Sequence, residues 1–378
     1  MAIKNVSTFG GNMAGDSGAH GDLSSNGTHP TKDSKKATIR DVANKAKVSL
    51  GTVSNVLNDP ERVAPATRNR VLKAIETTGF VRNIAARQLR GGGSKAVGIV
   101  ILDSSNPFFT EMIRGAEDAL RQEGYLLIAC STDGSNDREA MYLRHLEEHQ
   151  VEGVLITPSN DDLEQIIDFH DRGTPVVLVD RESHSGELCS VTVDDVRGGS
   201  IAVSHLIDEG HTKILFINGP TTIRQCRDRR AGVDVALKSL KKVEEADWIE
   251  VVDLEVPSLS IASGEEISIE LIDLDPTITA IMCANDLVAI GVMRGLARSG
   301  ADLLSRVALV GYDDITFSSL VSPALTSVHQ PQYDLGYAAA RLLLEELGDS
   351  NHRHHEIRFT PDLVVRESSS GRSSQSQR

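Results

Sequence analysis

Cysteine is scarce in this 378-residue chain, and the four present, Cys130, Cys189, Cys226 and Cys283, stand far apart with no Cys-x-x-Cys pair. That spacing suggests neither a zinc knuckle nor a disulfide framework, so the four read as reduced core residues of a cytosolic protein. Long apolar runs are missing too. Nothing approaches the length that spans a bilayer, and Lys4 is followed by Gly, Ser, Asn and Asp where a secretory signal would need an apolar stretch. The expectation is a cytoplasmic protein without membrane contact. No Ser/His/Asp or paired-carboxylate arrangement stands out either, so no catalytic residue, cofactor or metal is assigned.

Charge is present in quantity but unevenly placed. The net charge is −15, yet residues 31–95 hold 14 Lys and Arg against 5 Asp and Glu, a local +9 that leaves −24 for the rest. A basic module beside an acidic bulk gives phosphates one surface to meet and repels them elsewhere.

The basic segment carries Thr38-Ile-Arg-Asp-Val-Ala-Asn-Lys-Ala-Lys-Val-Ser49-Leu-Gly-Thr-Val-Ser-Asn-Val-Leu57. Apolar residues at Ile39, Val42, Ala43 and Ala46, and again at Val53, Val56 and Leu57, give two short amphipathic helices. Ser49 is placed to cap the second helix. A helix-turn-helix holds the start of its second helix against base edges, which makes Leu50, Gly51, Thr52 and Asn55 the candidates; the plainer alternative is a helical hairpin of some other domain. A third helix is expected from about Pro65 to Thr78, with Val71, Leu72 and Ile75 as its apolar face and Gly79 as its end.

Residues 1–36 are rich in Gly, Ser, Asn and Asp and read as a disordered tail. Residues 37–80 read as the helix-turn-helix domain, 81–95 as a short Ala- and Arg-rich segment with helical potential and a Gly-rich linker, 96–367 as a second, larger domain, and 368–378 as a Ser-rich loose tail. From Ala96 short apolar runs alternate with helical stretches, the pattern of a parallel sheet covered by helices. The runs begin near Ala96, Tyr125, Gly153, Pro175, Lys213, Ile249, Thr279 and Arg306, with helices at 107–123, 137–149, 196–209 and 285–299 between them. Eight such units exceed one ordinary sheet, so the expected fold is an α helix-turn-helix domain followed by two parallel-sheet Rossmann-like lobes facing a cleft.

This order, together with Thr38-Ile-Arg-Asp-Val-Ala, Val48-Ser49, Thr52-Val53-Ser54, Val63 to Arg68, Gly79-Phe-Val-Arg-Asn83, Ala86-Arg-Gln-Leu89, Asn285-Asp286, Gly311-Tyr-Asp-Asp314 and Pro323-Ala-Leu-Thr326, resembles the lactose-repressor and purine-repressor family of bacterial transcription regulators over residues 37–367. The resemblance implies a homodimer on a pseudo-palindromic operator, acting on the nucleoid and controlled by a small molecule held in a periplasmic-binding-protein-like module. It implies that Thr52, Ser54 and Asn55 approach DNA, with Leu50, Gly51 and Asn55 at base-reading positions and Thr38 and Ser49 beside them. Gly51 departs from many members in offering no side chain. Asn83, Arg87, Leu89 and Arg90 fall in the hinge, where Leu89 matches the apolar wedge that opens a minor-groove step and the arginines meet phosphates. The tail has no leucine heptads, so a dimer is expected rather than a tetramer.

Ligands of parallel α/β folds bind beyond the carboxyl ends of the strands. Residues just after the runs include Ser104, Asn106, Phe108, Phe109, Thr157, Asp180, Arg181, a loop Arg224 to Arg229, Asn285, Asp286 and Asp313. Carboxylate, amide and guanidinium groups with an aromatic face suit a monosaccharide, polyol or nucleoside. The family resemblance assigns effector contact to Asp180, Arg229, Asn285 and Asp313, with Phe108 or Phe109 stacking. Each has a plainer alternative: a turn carboxylate for Asp180, a helix cap for Asp286, a core ring for Phe109. Arg181 and the Arg224–Arg230 segment leave anionic ligands open. Two further readings stay in view: a regulator answering a phosphocarrier protein, and a periplasmic-type sugar-binding protein, against which the basic N-terminal module argues. His352-Arg-His354-His355 reads as a solvated loop rather than a metal site.

Overall fold

The computed structural model describes residues 37–81, 93–183, 186–240, 249–271, 277–299, 306–349 and 351–370. The hinge residues Asn83, Arg87, Leu89 and Arg90 and both expected tails as far as residues 36 and 371 lie outside these segments. The chain divides into two compact units on either side of residue 84.

Among the described residues the first unit has three α-helices, α1 (Ile39–Ala46), α2 (Leu50–Asn58) and α3 (Pro65–Thr78), around a small core of Val42, Ala43, Ala46, Val53, Val56, Val71 and Ala74. Local chemistry sets each boundary. The Asp41 carboxylate accepts both the Thr38 N–H and the Thr38 hydroxyl at 2.7 Å at the start of α1. Lys47 adopts left-handed geometry at its end (φ 53°), and Ser49 Oγ accepts the Thr52 N–H at 3.1 Å to open α2. Gly79 closes α3 with φ 63°. The inner face of α3 is Val71, Ala74 and Ile75; Leu72, expected to share it, is 49% exposed, because it lies a residue off the i, i+3, i+4 stripe.

The second unit holds two six-stranded sheets. The first lobe has strand order β11-β5-β4-β3-β1-β2 and the second β12-β10-β9-β8-β6-β7. The first sheet, β1 (Ala96–Ile101), β2 (Leu126–Ser131), β3 (Gly153–Ile156), β4 (Val176–Val179), β5 (Cys189–Val193) and β11 (Glu356–Phe359), is parallel throughout. The second, β6 (Lys213–Asn218), β7 (Glu250–Glu255), β8 (Ala280–Cys283), β9 (Ala308–Asp313), β10 (Thr326–His329) and β12 (Asp362–Val364), is parallel except for β12. Helices α4 (Pro107–Gln122), α5 (Asn136–Glu148) and α6 (Glu164–Asp171) follow strands of the first lobe; α7 (Asp195–Asp208), α8 (Arg224–Leu240), α9 (Ile261–Leu271) and α10 (Asp286–Ser299) belong to the second. Helix α11 (Gln332–Gly348) returns to the first lobe and packs along α4. The chain therefore passes between lobes three times, after β5, after β10 and between β11 and β12.

Three helix pairs meet through facing glycines: Gly115 with Gly336 (α4 and α11), Gly199 with Gly232 (α7 and α8), and Gly264 with Gly291 (α9 and α10). At each, a β-carbon would press into a backbone carbonyl of the opposite helix, so the close approach needs a residue without one.

Several expectations are revised. The segment 224–229 is the start of helix α8 rather than a loop. Strands β5, β10, β11 and β12 were not foreseen. The C-terminal loose end does not begin at Ser368: Ser368 and Ser369 are buried, with the Ser368 N–H donated to the Ala324 carbonyl and Ser369 Oγ 2.8 Å from His205 Nε2. Nor is the histidine loop solvated throughout. His352 and His354 turn inward onto buried Cys189, while Arg353 and His355 face solvent, because an extended segment alternates its side chains.

Candidate nucleic-acid interface and interlobe cleft

In the first unit α2 presents a polar outer face. Leu50 is 44% exposed, Gly51 and Asn55 are exposed, and Thr52 and Ser54 are half-buried behind them. A β-carbon on Gly51 would meet only Ser49 Oγ at 3.7 Å, so that position is open. Ser49 and Thr52 hydroxyls lie 2.9 Å apart, and the Asn58 amide donates to the Ser54 carbonyl at 2.9 Å, which leaves the Asn55 amide facing outward on the helix surface.

In the second unit the carboxyl ends of both sheets open on one cavity of about 460 Å³. Seven residues expected at an effector site line it: Asn106, Phe108, Phe109, Asp180, Arg229, Asn285 and Asp313. Ser104 and Thr157 are not in its wall. Ser104 is exposed in the turn after β1, with its N–H donated to Ser131 Oγ, and Thr157 is buried one residue short of the lining Pro158. Wall residues not foreseen include Asp161 and Leu259, and within the expected Arg224 to Arg229 stretch Gln225 is a further wall residue. The strand-end rule, extended five residues past β3 and four past β7, would have found Asp161 and Leu259. Helix α8 singles out Gln225 within its stretch, because it sits one turn before Arg229.

The floor is an electrostatic knot. Arg229 Nε donates to Asp195 Oδ1 at 2.9 Å, one terminal nitrogen donates to the Ala284 carbonyl at 2.6 Å, and the other lies 3.7 Å from Asp313 Oδ1. Its guanidinium stacks 3.7 Å from the Tyr312 ring centroid. Despite burial, the surrounding Asp195, Tyr312 and Asp313 hold its pKa well above the ordinary value. Asp313 accepts the Gln330 amide at 2.8 Å and a hydrogen bond from Asn106 across the cleft; burial pushes it up to about 6. Asp180 accepts the Gln225 amide through its backbone carbonyl and Oδ2, each at 2.8 Å, while Oδ1 is buried without a partner. Burial, reinforced by the Asp195 charge, pushes Asp180 up to about 8. Asp133, Asp180 and Asp313 line the cavity with left-handed backbones (φ 51°, 56° and 102°), a conformation that is unusual off glycine and concentrates at ligand sites.

Two aromatic rings, Phe108 and Phe109, meet edge to face at 5.1 Å and are core and wall at once. Asn106 caps α4 by accepting the Phe108 N–H at 3.0 Å. The cap of α10 is Asn285, whose Oδ1 accepts the Val288 N–H at 3.0 Å while its amide donates to the Leu259 carbonyl at 3.2 Å. Asp286 is therefore no cap. It accepts from Ile315 N–H and from the hydroxyls of Ser318 and Ser327, pinning the loop beyond β9, and burial with nearby Asp313 pushes it up to about 7. Buried Arg181 pairs with Asp161 at 2.6 Å through a terminal nitrogen while its Nε has no partner, and the arginines of the rim are paired as well: Arg224 with Asp228 at 3.0 Å and Glu182 at 3.3 Å, and Arg227 with Asp161.

Residues 38–83 match the sequence model for bacterial regulatory proteins of the lacI family, and residues 94–366 match that for periplasmic binding proteins and the sugar-binding domain of the LacI family. The chain belongs to the LacI family. Among its relatives, the HTH-type transcriptional repressor PurR of Aliivibrio salmonicida is 34% identical over 334 residues, 88% of this chain and 98% of that protein. The lac repressor dimer bound to operator and the anti-inducer ONPF superimposes with a TM-score of 0.76 at 25% identity, covering 89% of this chain and 99% of the repressor. A LacI-family regulator from Enterococcus faecium with bound ribose gives 0.65 at 28% identity over 72% of this chain and 98% of that one. The family is one of regulators, not enzymes, and its two-part plan of helix-turn-helix and effector-binding domain is the one seen here. Among the described residues no helix is long and apolar enough to cross a membrane.

Proposed function

We propose that this LacI-family protein is a transcriptional repressor acting on DNA in the cytoplasm, a homodimer on a pseudo-palindromic operator, whose grip is set by a neutral, hydroxyl-rich small molecule bound between its lobes. The observation that carries the ligand class is the floor of the cavity: one buried guanidinium, Arg229, faces Asp180, Asp195 and Asp313. Asp195 and Asp313 together outweigh this one cation, and Asp180, its pKa raised to about 8, is already kept from ionising beside them, so the floor is hostile to a further negative charge. The paired state of Arg181, Arg224 and Arg227 adds to the case against a phosphorylated effector. Sugar, polyol or nucleoside hydroxyls can both accept from and donate to the protonated Asp180 carboxyl at its unpartnered Oδ1, and the Phe108 and Phe109 pair offers an apolar side. A volume of about 460 Å³ suits a ligand of one or two rings. Asn106 to Asp313 and Gln225 to Asp180 already bridge the lobes, so a ligand touching the same carboxylates acts on lobe closure. By linkage, operator and ligand then alter each other's affinity by the same factor.

In this reading Leu50 and Asn55 read base edges, Thr38, Ser49, Gly51, Thr52 and Ser54 approach the backbone, and the hinge contributes Asn83, Arg87, Leu89 and Arg90 with Leu89 as the wedge. The test is a gel-shift on genomic fragments with panels of sugars, polyols and nucleosides, beside calorimetry on the same compounds. Operator affinity changed by a compound that also binds calorimetrically, and lost in Asp313→Ala, supports the reading. Response only to a protein partner overturns the small-molecule part. Leu89→Ala is expected to weaken specific binding at least tenfold more than binding to random DNA; equal losses remove the wedge.

A further inference from the structure

At the opposite end of the first lobe from the cleft, where its parallel strands begin, four side chains from two distant parts of the chain converge. Cys189 opens β5, Glu346 lies in the last turn of α11, and His352 and His354 come from the segment leading into β11. One ligand atom from each falls within 4.8 Å of all the others. Cys189 Sγ lies 3.1 Å from His352 Nε2 and 3.6 Å from His354 Nδ1. A tetrahedron built with metal–sulfur bonds of about 2.3 Å and metal–nitrogen bonds of about 2.0–2.1 Å has sulfur–nitrogen edges of roughly 3.5 Å, so these distances are already those of a coordination shell.

We propose that Cys189, Glu346, His352 and His354 form a binding site for a divalent transition metal ion of the zinc class. A second observation points to a missing cation: the Glu346 side chain is only 8% exposed and its Oε2 has no hydrogen-bond partner. Buried carboxylates are ordinarily paired or bound to metal. Its other oxygen stands 3.8 Å from His170 Nδ1, which is likewise buried without a hydrogen bond, and the His170 ring lies 5.4 Å from that of His354. His170 thus backs the cluster as an orienting neighbour. One thiolate, two imidazoles and one carboxylate form a donor set that favours zinc over the harder magnesium or calcium, which take oxygen shells.

Backbone geometry holds the donors in place. Residues 352 and 354 share one side of an extended segment, and the Ser190 N–H donated to the His355 carbonyl lays that segment along the start of β5. A bound ion would join α11, the histidine segment and β5, and so fix the otherwise edge-placed β11 to the sheet.

The test uses the untagged full-length protein, stripped with chelator and kept reduced, titrated with Zn²⁺ against a chromophoric competitor. We expect one equivalent bound at micromolar or tighter affinity, weakened at least tenfold in Cys189→Ser and in His354→Gln and unchanged in His145→Gln, an exposed histidine elsewhere. Substituted Co²⁺ should show a thiolate charge-transfer band that Cys189→Ser abolishes. Should Cys189→Ser fail to fold by circular dichroism, His352→Gln on the surface segment carries the same expectation. Absence of stoichiometric Zn²⁺ binding, affinity unaltered by the ligand variants, or a Co²⁺ spectrum without the thiolate band each overturns the proposal. None of these readouts depends on DNA or on the cleft ligand.

Discussion

Asp180 has one carboxylate oxygen held by Gln225 and the other buried with nothing to accept from. With its pKa raised by burial and the Asp195 charge to about 8, the folded chain keeps a proton that the unfolded chain, titrating near 3.8, has released. Between those values folding binds a proton, so this residue's contribution to stability is present below about pH 4 and is lost as pH rises toward 8. Asp180→Asn is therefore expected to stabilise the ligand-free effector domain, by about 1–3 kcal/mol at pH 8 and by progressively less toward pH 5. Denaturant melts of both proteins across that range measure it, and a difference that does not vary with pH means Asp180 ionises normally. Its cleft position was legible because it follows an obvious strand, Val176–Val179, in a fold whose ligands sit at strand ends. Asp195 was not. It follows Cys-Ser-Val-Thr-Val, a strand whose buried Ser190 and Thr192 dilute the apolar signal.

Elements show the same division. Strands β1, β3, β4 and β8 are continuous apolar runs because helices cover both faces of a parallel sheet, and they stand out in sequence. Edge strand β11, Glu-Ile-Arg-Phe, is half solvated, and its place in the sheet is set by pairing with β5, 166 residues away at Glu356 and Ser190. Helix α8 was masked by its arginines. Its buried face, Cys226, Arg229, Gly232, Val233 and Ala236, contains a charge that interrupts the apolar periodicity and is met by Asp195. Gly199 of α7 lies against the Arg229 carbonyl, so the α7–α8 clasp sets where that guanidinium reaches the cleft. Gly199→Ala is expected to destabilise the domain by about 1–3 kcal/mol, as overpacking does, and to weaken ligand binding by more than the stability loss alone explains. Calorimetric titration beside thermal melts separates the two; unchanged affinity in a destabilised variant would show that Arg229 keeps its place.

At the scale of the molecule, the two units have unequal means. The first rests on seven buried residues, mostly Val and Ala, whereas the second has extensive cores in both lobes. Small cores give marginal stability. Heating the full chain should accordingly give two calorimetric transitions, the lower from the first unit. Operator DNA should raise the lower one and a cleft ligand the upper one. A single transition, or both moving together with either ligand, would show that the units unfold as one.

The three passages of chain between the lobes also bear on how a bound metabolite does mechanical work. A single tether would let one lobe swivel on the other, and the energy of capture would be scattered over many relative orientations. Three ribbons side by side resist torsion and leave bending as the soft direction, so the lobes behave like the covers of a stitched book, and occupancy of the gap is converted into one reproducible displacement.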